Sequence, residues 1–363
     1  MALACKPNLS GIKPYKPGKP IEDVARELKL RCEIIKLASN ENPVGPSPKA
    51  KAAMRGVLGE MQLYPDDNCC YLKARIAREF NVEPEWIIMG NGSTEILLFA
   101  AMTYLGGEES AVYSDGAFIM YKIATQIAGG RISTTPMKDY RHDLDAMAAA
   151  ITPATRLVFV ANPNNPTGTM VKQDEFARFM ERVPDHVLVV VDEAYREYIS
   201  DPDYPDSFQY LRAGRNILIT RTFSKIHGLA GLRVGYGFAR PELLQDIGKM
   251  RLPFNINRIG QVAALAALDD KAHVRHSIRV NEAGKQYLYD VLGRMGLNYV
   301  PTHANFIFVD FGCDTLELFD KLQHKGIIAR TIREYGFPNA LRITIGTEEQ
   351  NARLARALKA VLK

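Results

Sequence analysis

Three short, uninterrupted apolar runs constrain the fold of this chain most strongly. They occupy residues 156–160, 186–191 and 217–219, and they are rich in valine, isoleucine and leucine. Strands that are covered on both faces show such continuous runs, because neither face alternates with polar residues. Helical patterns lie between the runs, and strands that alternate with helices predict an α/β domain on a mostly parallel sheet.

Further segments give a coarse plan of the chain. The predicted elements are helices at 48–60, 70–80 and 95–105, a strand at 86–89, a long helical stretch at 259–293, strands at 305–310 and 341–345, and a helix from residue 348 onward. The pattern changes character after about residue 240. We therefore expect an N-terminal arm at 1–35, a large α/β domain at 36–245 and a smaller α+β domain at 246–363.

Composition and charge narrow the class of protein. Of the 363 residues, 24% are charged and 47% are hydrophobic, which is typical of a globular protein. The net charge of +5 is small and its lysines and arginines are scattered, so we expect no nucleic-acid surface. No apolar run approaches the roughly 20 residues of a membrane span, so we expect no membrane partner.

The cysteines indicate a reducing compartment. They are Cys5, Cys32, Cys69, Cys70 and Cys313. Their number is odd, adjacent cysteines rarely bridge each other, and no spacing with histidine suggests a metal site. The first residues lack a basic start and a long apolar stretch. These features favour free thiols, no bound metal and a cytoplasmic location.

The segment 221–235 carries the strongest chemical signal. Lys225 follows an apolar strand-like run and is flanked by Thr222 and Ser224, and Arg233 lies eight residues further on. Such a lysine can form a Schiff base with an aldehyde cofactor, while hydroxyls and an arginine can hold that cofactor's phosphate. The alternative is an ordinary surface pair of lysine and arginine.

Two glycine-containing loops could contribute to the same site. Residues 90–94 form a strand–turn–helix junction whose backbone N–H groups could hold a phosphate, although Ser93 could equally be a plain helix cap. Residues 161–169 contain Asn165 in a proline-rich loop directly after a strand, where α/β folds place ligands. A purely structural turn is the alternative for the second loop.

Two charged residues are predicted within or at the end of strands. Asp192 ends the most apolar run, where a carboxylate is costly unless a cation such as a protonated pyridine nitrogen pairs with it. The alternative is a helix-capping aspartate. Arg342 lies inside an apolar strand and needs an anion, which could be a bound carboxylate or an internal salt bridge.

Together and in this order, these sites resemble those of the fold-type I, pyridoxal-phosphate-dependent aminotransferases. The resemblance covers essentially the whole chain. Segments 13–20, 37–43, 63–66 and 341–347 are similar to those of the histidinol-phosphate aminotransferase family in particular.

The resemblance implies a role for each residue around the cofactor. Lys225 would bind pyridoxal 5'-phosphate and move the substrate's α-proton, and Asp192 would pair with the pyridinium nitrogen. Asn165 and Tyr195 would donate to the phenolic oxygen, and Phe118 would stack on the ring. The phosphate would contact Gly92, Ser93, Thr94, Thr222, Ser224, Arg233 and, from the other subunit of a homodimer, Tyr64.

The resemblance also implies a substrate class. Arg342 would bind the α-carboxylate of glutamate, and together with Arg330 it would serve the phosphate of histidinol phosphate. Tyr15 and Asn42 are expected near the substrate. The implied reaction converts L-histidinol phosphate and 2-oxoglutarate to imidazole-acetol phosphate and L-glutamate, a step of histidine biosynthesis.

Three alternatives stay open at this point. An aromatic amino-acid aminotransferase or a phosphothreonine decarboxylase could use the same scaffold. A transcription regulator with an aminotransferase-like sensing domain would need a DNA-binding region before Asn40, for which about 30 residues are too few. The chain also departs from the family pattern at residues 114–117, at Thr94 and at His227, which bears on substrate preference more than on reaction type.

Overall fold

The computed structural model describes residue 3 and residues 5–14, 18–29 and 33–362. Its helices are α1 (Pro7–Ser10), α2 (Ile21–Leu28), α3 (Pro48–Gly56), α4 (Cys70–Phe80), α5 (Ser93–Tyr104), α6 (Ile119–Ala128), α7 (Leu144–Ala149), α8 (Gln173–Arg182), α9 (Ser207–Arg212), α10 (Pro241–Ile247), α11 (Arg258–Leu268), α12 (Lys271–Arg294), α13 (Leu316–His324) and α14 (Glu348–Val361). Its strands are β1 (Ile35–Lys36), β2 (Ile87–Gly90), β3 (Ser110–Ser114), β4 (Arg131–Thr135), β5 (Thr155–Ala161), β6 (Leu188–Asp192), β7 (Ile217–Thr222), β8 (Gly235–Phe238), β9 (Asn298–Val300), β10 (Phe306–Asp310), β11 (Ile327–Ile328), β12 (Arg330–Ile332) and β13 (Phe337–Thr344).

The larger sheet has seven strands among the described residues, in the order β2-β8-β7-β6-β5-β3-β4. All its neighbouring pairs are parallel except those of β8, which runs antiparallel to β2 and β7. Val189 and Val191 pack into one apolar core, while Leu188 and Val190 pack into a second. Because successive side chains of a strand point to opposite faces, the sheet is covered on both sides, as the apolar runs predicted.

A four-stranded antiparallel sheet, ordered β12-β13-β10-β9, forms the second part of the fold. The short strand β1 pairs with β11, and the chain then continues beside β13, where the Thr344 amide donates to the Leu37 carbonyl oxygen at 2.8 Å. Residues 37–42 therefore run along the second sheet toward the end of the larger sheet.

Several local predictions are confirmed, and two differ. The helix at 70–80 and the start of the last helix at Glu348 are as predicted, whereas the helix from Pro48 ends at Gly56. The stretch 259–293 contains two helices rather than one. The Asp270 side chain accepts from the His273 amide at 3.2 Å and begins α12, because an aspartate at this position satisfies an N–H group that the helix leaves unpaired.

The domain bounds at 35/36 and 245/246 stay a prediction. Ala263 and Ala264 of α11 pack into the same core as Val189, so this helix packs against the larger sheet. The four described cysteines are free, and Cys32 lies outside the described residues. Within the described residues, no helix combines the length and apolarity that crossing a membrane requires.

Candidate active site

The carboxyl ends of β5, β6 and β7 border a cavity of about 510 Å³. In parallel sheets this edge is the usual place for ligands. The cavity brings together twelve of the residues selected from the sequence, namely Gly92, Ser93, Thr94, Phe118, Asn165, Asp192, Tyr195, Thr222, Ser224, Lys225, Arg233 and Arg342.

Lys225 lies in the turn after β7 and is half-buried. Its Nζ donates to the Ser39 carbonyl oxygen at 3.1 Å and lies 5.6 Å from the centre of the Tyr195 ring. Burial, followed by the positive charges of Arg342 and Arg233, lowers the pKa of Lys225 to about 7. Near neutral pH a large share of this amine is therefore unprotonated and can act as a nucleophile or base, unlike a surface lysine.

Asp192 ends β6 and is 5% exposed. Its Oδ2 accepts from the Tyr121 hydroxyl and its Oδ1 from the Thr220 hydroxyl, each at 3.2 Å. Burial raises the pKa of Asp192 to about 6, although both hydroxyls lower it. No described lysine or arginine forms an ion pair with this carboxylate, so it can stabilise a cation bound in the cavity.

Arg342, on β13, reaches the cavity from the second sheet. Its Nη1 donates to Asn165 Oδ1 at 2.5 Å and its Nη2 to the Ala38 carbonyl oxygen at 2.6 Å. Its Nε is buried and makes no hydrogen bond within the described part of the chain, and no described carboxylate pairs with it. The internal salt bridge considered from the sequence is not present there, and the guanidinium is suited to an anionic ligand.

The turn before α5 is shaped for a phosphate group. Gly92 has φ of +73° and is the N-cap, so Ser93 is the first helical residue and makes no capping hydrogen bond with its side chain. The positive φ favours glycine, and a Cβ atom on Gly92 would lie 2.8 Å from Arg233 Nη2, so any other residue would displace this guanidinium. The free N–H groups of the helix and the Arg233 guanidinium thus face one cavity.

Two hydroxyls line the cavity beside this turn. The Thr222 hydroxyl donates to Ser224 Oγ at 3.0 Å, and the Ser224 amide donates to Thr222 Oγ1 at 3.1 Å. This local pair fixes the turn that leads from β7 to Lys225. Both residues keep hydroxyl oxygen acceptors next to the cavity.

Three described residues expected at the site lie elsewhere in the single chain. Asn42 donates to the Ile226 carbonyl oxygen at 2.8 Å and to Ser277 Oγ at 3.0 Å, and it does not line the cavity. Arg330 forms an ion pair with Glu334 in a neighbouring cavity of about 590 Å³.

Tyr64, the third of these residues, is 79% exposed and stacks on Phe254, with ring centres 4.6 Å apart. It therefore lies on the surface of the single chain and not in its cavity. Tyr15 lies outside the described residues.

Sequence reasoning missed two contributors. Asn40 is 1% exposed, lines the cavity and donates to the Tyr195 hydroxyl at 2.9 Å. It belongs to the segment that drew attention to Asn42, and no local pattern separates the two asparagines. Tyr121 also lines the cavity, but a tyrosine on an apolar helix has the signature of a core residue.

Comparisons with known proteins show the family of the chain. The family model for aminotransferase class I and II matches residues 33–358. Histidinol-phosphate aminotransferase from Moorella thermoacetica is 53% identical over 99% of this chain and 93% of its own length. Histidinol-phosphate aminotransferase 2 from Pseudomonas fluorescens strain Pf0-1 is 46% identical over 100% of this chain and 98% of its own length. The chain therefore belongs to the class I and II aminotransferases.

A solved structure of histidinol-phosphate aminotransferase from Sinorhizobium meliloti, in complex with pyridoxal-5'-phosphate, has a TM-score of 0.91 and 29% identity. It covers 99% of this chain and 97% of its own. Aspartate aminotransferase from Thermus thermophilus, with a TM-score of 0.84 and 20% identity, shares the fold. The fold is that of the fold-type I pyridoxal-phosphate-dependent transferases, as the sequence predicted.

Proposed function

We propose that this chain is a pyridoxal 5'-phosphate-dependent histidinol-phosphate aminotransferase that acts in histidine biosynthesis. One observation carries the proposal: the low-pKa amine of Lys225 shares a cavity with the buried Asp192 carboxylate and the buried Arg342 guanidinium. The names of relatives that are 53% and 46% identical over nearly the whole chain support the substrate.

The chemistry of the cavity fits this cofactor. Asp192 offers an anion to a protonated ring nitrogen, and the Gly92 turn with Arg233 offers N–H groups to a phosphate. When bound, pyridoxal 5'-phosphate supplies an aldehyde carbon that bonds to amines and a ring that draws electrons from the carbon being deprotonated.

Lys225 would have two tasks. Its unprotonated Nζ would hold the cofactor covalently, and as a free amine it would accept the proton from the substrate's α-carbon and later donate it as an acid. A pKa of about 7 suits both directions of this transfer at neutral pH. Asp192 would meanwhile keep the proton on the ring nitrogen.

The remaining residues would orient the ring and the substrate. Asn165 uses its amide oxygen for Arg342, so its amide nitrogen can donate to the phenolic oxygen together with Tyr195. Phe118 would stack on the ring. Arg342 would bind the α-carboxylate of glutamate, and together with Arg330, from the adjacent cavity, it would serve the phosphate of histidinol phosphate.

The substrate assignment is tested by competition. Amino transfer from histidinol phosphate, phenylalanine and tyrosine to 2-oxoglutarate would be measured with the purified protein under one set of conditions. The expected result is a kcat/KM for histidinol phosphate well above that for either aromatic amino acid. A preference for phenylalanine or tyrosine would favour the aromatic alternative.

The cofactor assignment has its own test. The protein with bound cofactor should show a visible absorption band that is missing in Lys225→Ala, and amino transfer should fall by at least about 10³-fold. Lys249→Ala removes an exposed lysine that pairs with Asp246 and serves as the matched control. An unchanged band in Lys225→Ala would contradict the assignment.

We further propose that the chain works as a cytoplasmic homodimer. Seven of the sixteen large apolar side chains that are exposed among the described residues lie in two short segments, and these seven are Leu58, Met61, Leu63, Tyr64, Tyr71, Leu252 and Phe254. A concentration of exposed apolar side chains is typical of an interaction surface. Tyr64, within this group, would reach the phosphate bound by the partner subunit.

Mixing two variants tests the shared site. Subunits with Tyr64→Ala lack that side chain and subunits with Lys225→Ala lack the reacting amine, but a mixed dimer contains one site with both. After subunit exchange the mixture should recover up to about one quarter of wild-type activity. Exchange without recovery, or a monomer of 40.5 kDa in sedimentation, would contradict the proposal.

A further inference from the structure

Tyr121, to which the reaction as described so far gives no task, contacts two parts of the candidate site. It belongs to α6, its side chain is fully buried, and its ring stacks on Phe159 with centres 4.8 Å apart and planes 6° apart. A tyrosine that is buried this completely normally directs its hydroxyl to a specific partner.

That partner is the Asp192 carboxylate. Tyr121 donates to Oδ2 and Thr220 to Oδ1, so each carboxylate oxygen accepts one hydroxyl from a different structural element. Thr220 is the direct register partner of Asp192 on β7. Two hydroxyl donors on opposite oxygens restrict rotation of the carboxylate, and the Ala194 amide also donates to it.

The ring of Tyr121 makes a second contact. It meets Phe118 edge to face, with centres 5.8 Å apart and planes at 90°. Phe118 is the residue proposed to stack on the cofactor ring, and Asp192 is the residue proposed to pair with its nitrogen. Tyr121 therefore contacts both side chains that would define the plane and the tilt of that ring.

We propose that Tyr121 is a positioning residue that fixes the Asp192 carboxylate through its hydroxyl and supports Phe118 through its ring. The inference rests on the proposed function, because it assigns Tyr121 to the same cofactor site. The groups that face Asp192 are Tyr121 from α6, Thr220 on β7 and Lys225 after β7, while the β5 residue paired with it, Ala161, is uncharged.

The hydroxyl is tested by Tyr121→Phe, with Tyr113→Phe as the matched control. Tyr113 is also buried and its ring meets the Tyr121 ring edge to face, so Tyr113→Phe removes a hydroxyl from a neighbouring tyrosine. A hydrogen bond to a charged group contributes substantially to binding free energy. The affinity of the apoprotein for the cofactor, measured by titration, should therefore fall about tenfold in Tyr121→Phe. The control should stay within about twofold.

A second readout needs no cofactor. The pH midpoint of the Asp192 carboxyl can be followed by infrared difference spectroscopy of the apoprotein, with Asp192→Asn identifying the band. Loss of a donor to the ionised form should raise the midpoint by about one pH unit in Tyr121→Phe. Thr220→Val should raise the same midpoint through the other oxygen. Thr220→Ser, which keeps the hydroxyl, should have the wild-type midpoint.

The ring is tested by Tyr121→Leu, which should weaken cofactor binding further than Tyr121→Phe. Equal affinities of these two variants would overturn the role of the ring. If Tyr121→Phe matches Tyr113→Phe in both affinity and midpoint, the role of the hydroxyl is overturned while the proposed function stands. If the wild-type apoprotein binds no pyridoxal 5'-phosphate, the proposed function falls and this inference falls with it.

Discussion

Arg342 and Arg330 lie directly opposite each other on β13 and β12, yet their surroundings differ. Arg342 faces the cavity of Lys225, and no described carboxylate pairs with it. Arg330 lines the neighbouring cavity and is paired with Glu334, four residues later. Gly18 borders both cavities.

The difference separates two kinds of polar residue. A buried guanidinium with an unsatisfied N–H group costs free energy until an anion binds, whereas an arginine with its own carboxylate has already met that need. Asn40 and Asn42 show a similar contrast two residues apart. Asn40 lines the cavity, while Asn42 directs both its amide hydrogens to protein acceptors.

The largest effect is expected for Arg342→Gln. Removing a bidentate partner of a carboxylate should raise the KM for glutamate about 100-fold, since charge-assisted pairs are the strong ones. Steady-state kinetics with glutamate as donor measures this change. The guanidinium has no ion pair to lose within the described residues, but Asn165 Oδ1 and the Ala38 carbonyl oxygen lose their buried donor, so the thermal midpoint should also fall moderately. A large fall in the thermal midpoint without a change in the KM for glutamate would show that Arg342 serves structure and not substrate binding.

Arg330→Gln is expected to have a smaller and more selective effect. If this guanidinium serves the phosphate, the KM for histidinol phosphate should rise about tenfold while the KM for glutamate stays nearly constant. Glu334→Gln is the matched control, because it breaks the same ion pair and keeps the guanidinium. Equal loss of stability in both variants, without any change in KM, would assign the arginine to structure alone.

The same two arginines should act differently on Lys225. The positive charge of Arg342 is, after burial, the largest cause that lowers the Lys225 pKa to about 7, and Arg330 is not among its principal causes. Removing a positive charge favours the protonated amine, so Arg342→Gln should raise the midpoint by about one pH unit. The measurement is the pH dependence of trapping Lys225 in the apoprotein with an aldehyde and borohydride. An equal rise of the Lys225 midpoint in Arg330→Gln would show that the two arginines do not differ in their effect on this amine.

Residues that follow predicted strands could be located from the sequence. Asp192 and Lys225 come just after apolar runs, and parallel strands end at one edge of a sheet, so local patterns were enough to bring these residues together. The glycine turn was recognisable because a positive φ and a close approach to Arg233 leave few other choices of residue.

What escaped prediction depends on contacts that are distant in sequence. The antiparallel course of β8 and the break between α11 and α12 depend on neighbours and on a single capping side chain. The position of Asn42 is set by Ser277, 235 residues away. The proposed role of Tyr64 needs a second copy of the chain, which no pattern in one sequence describes.

Asn42 offers the smallest and most discriminating effect. Asn42→Ala removes hydrogen bonds to the Ile226 carbonyl oxygen and to Ser277 Oγ, and both asparagine and acceptors are buried. Leaving a buried acceptor unpaired should lower the free energy of unfolding by about 1–3 kcal/mol, while KM values stay within about twofold. Denaturant unfolding and steady-state kinetics on the same preparation separate the two quantities. A tenfold rise in KM at unchanged stability would instead show that Asn42 contacts the substrate. In that case Ser277→Ala, which removes only one of the acceptors, should leave the KM unaffected.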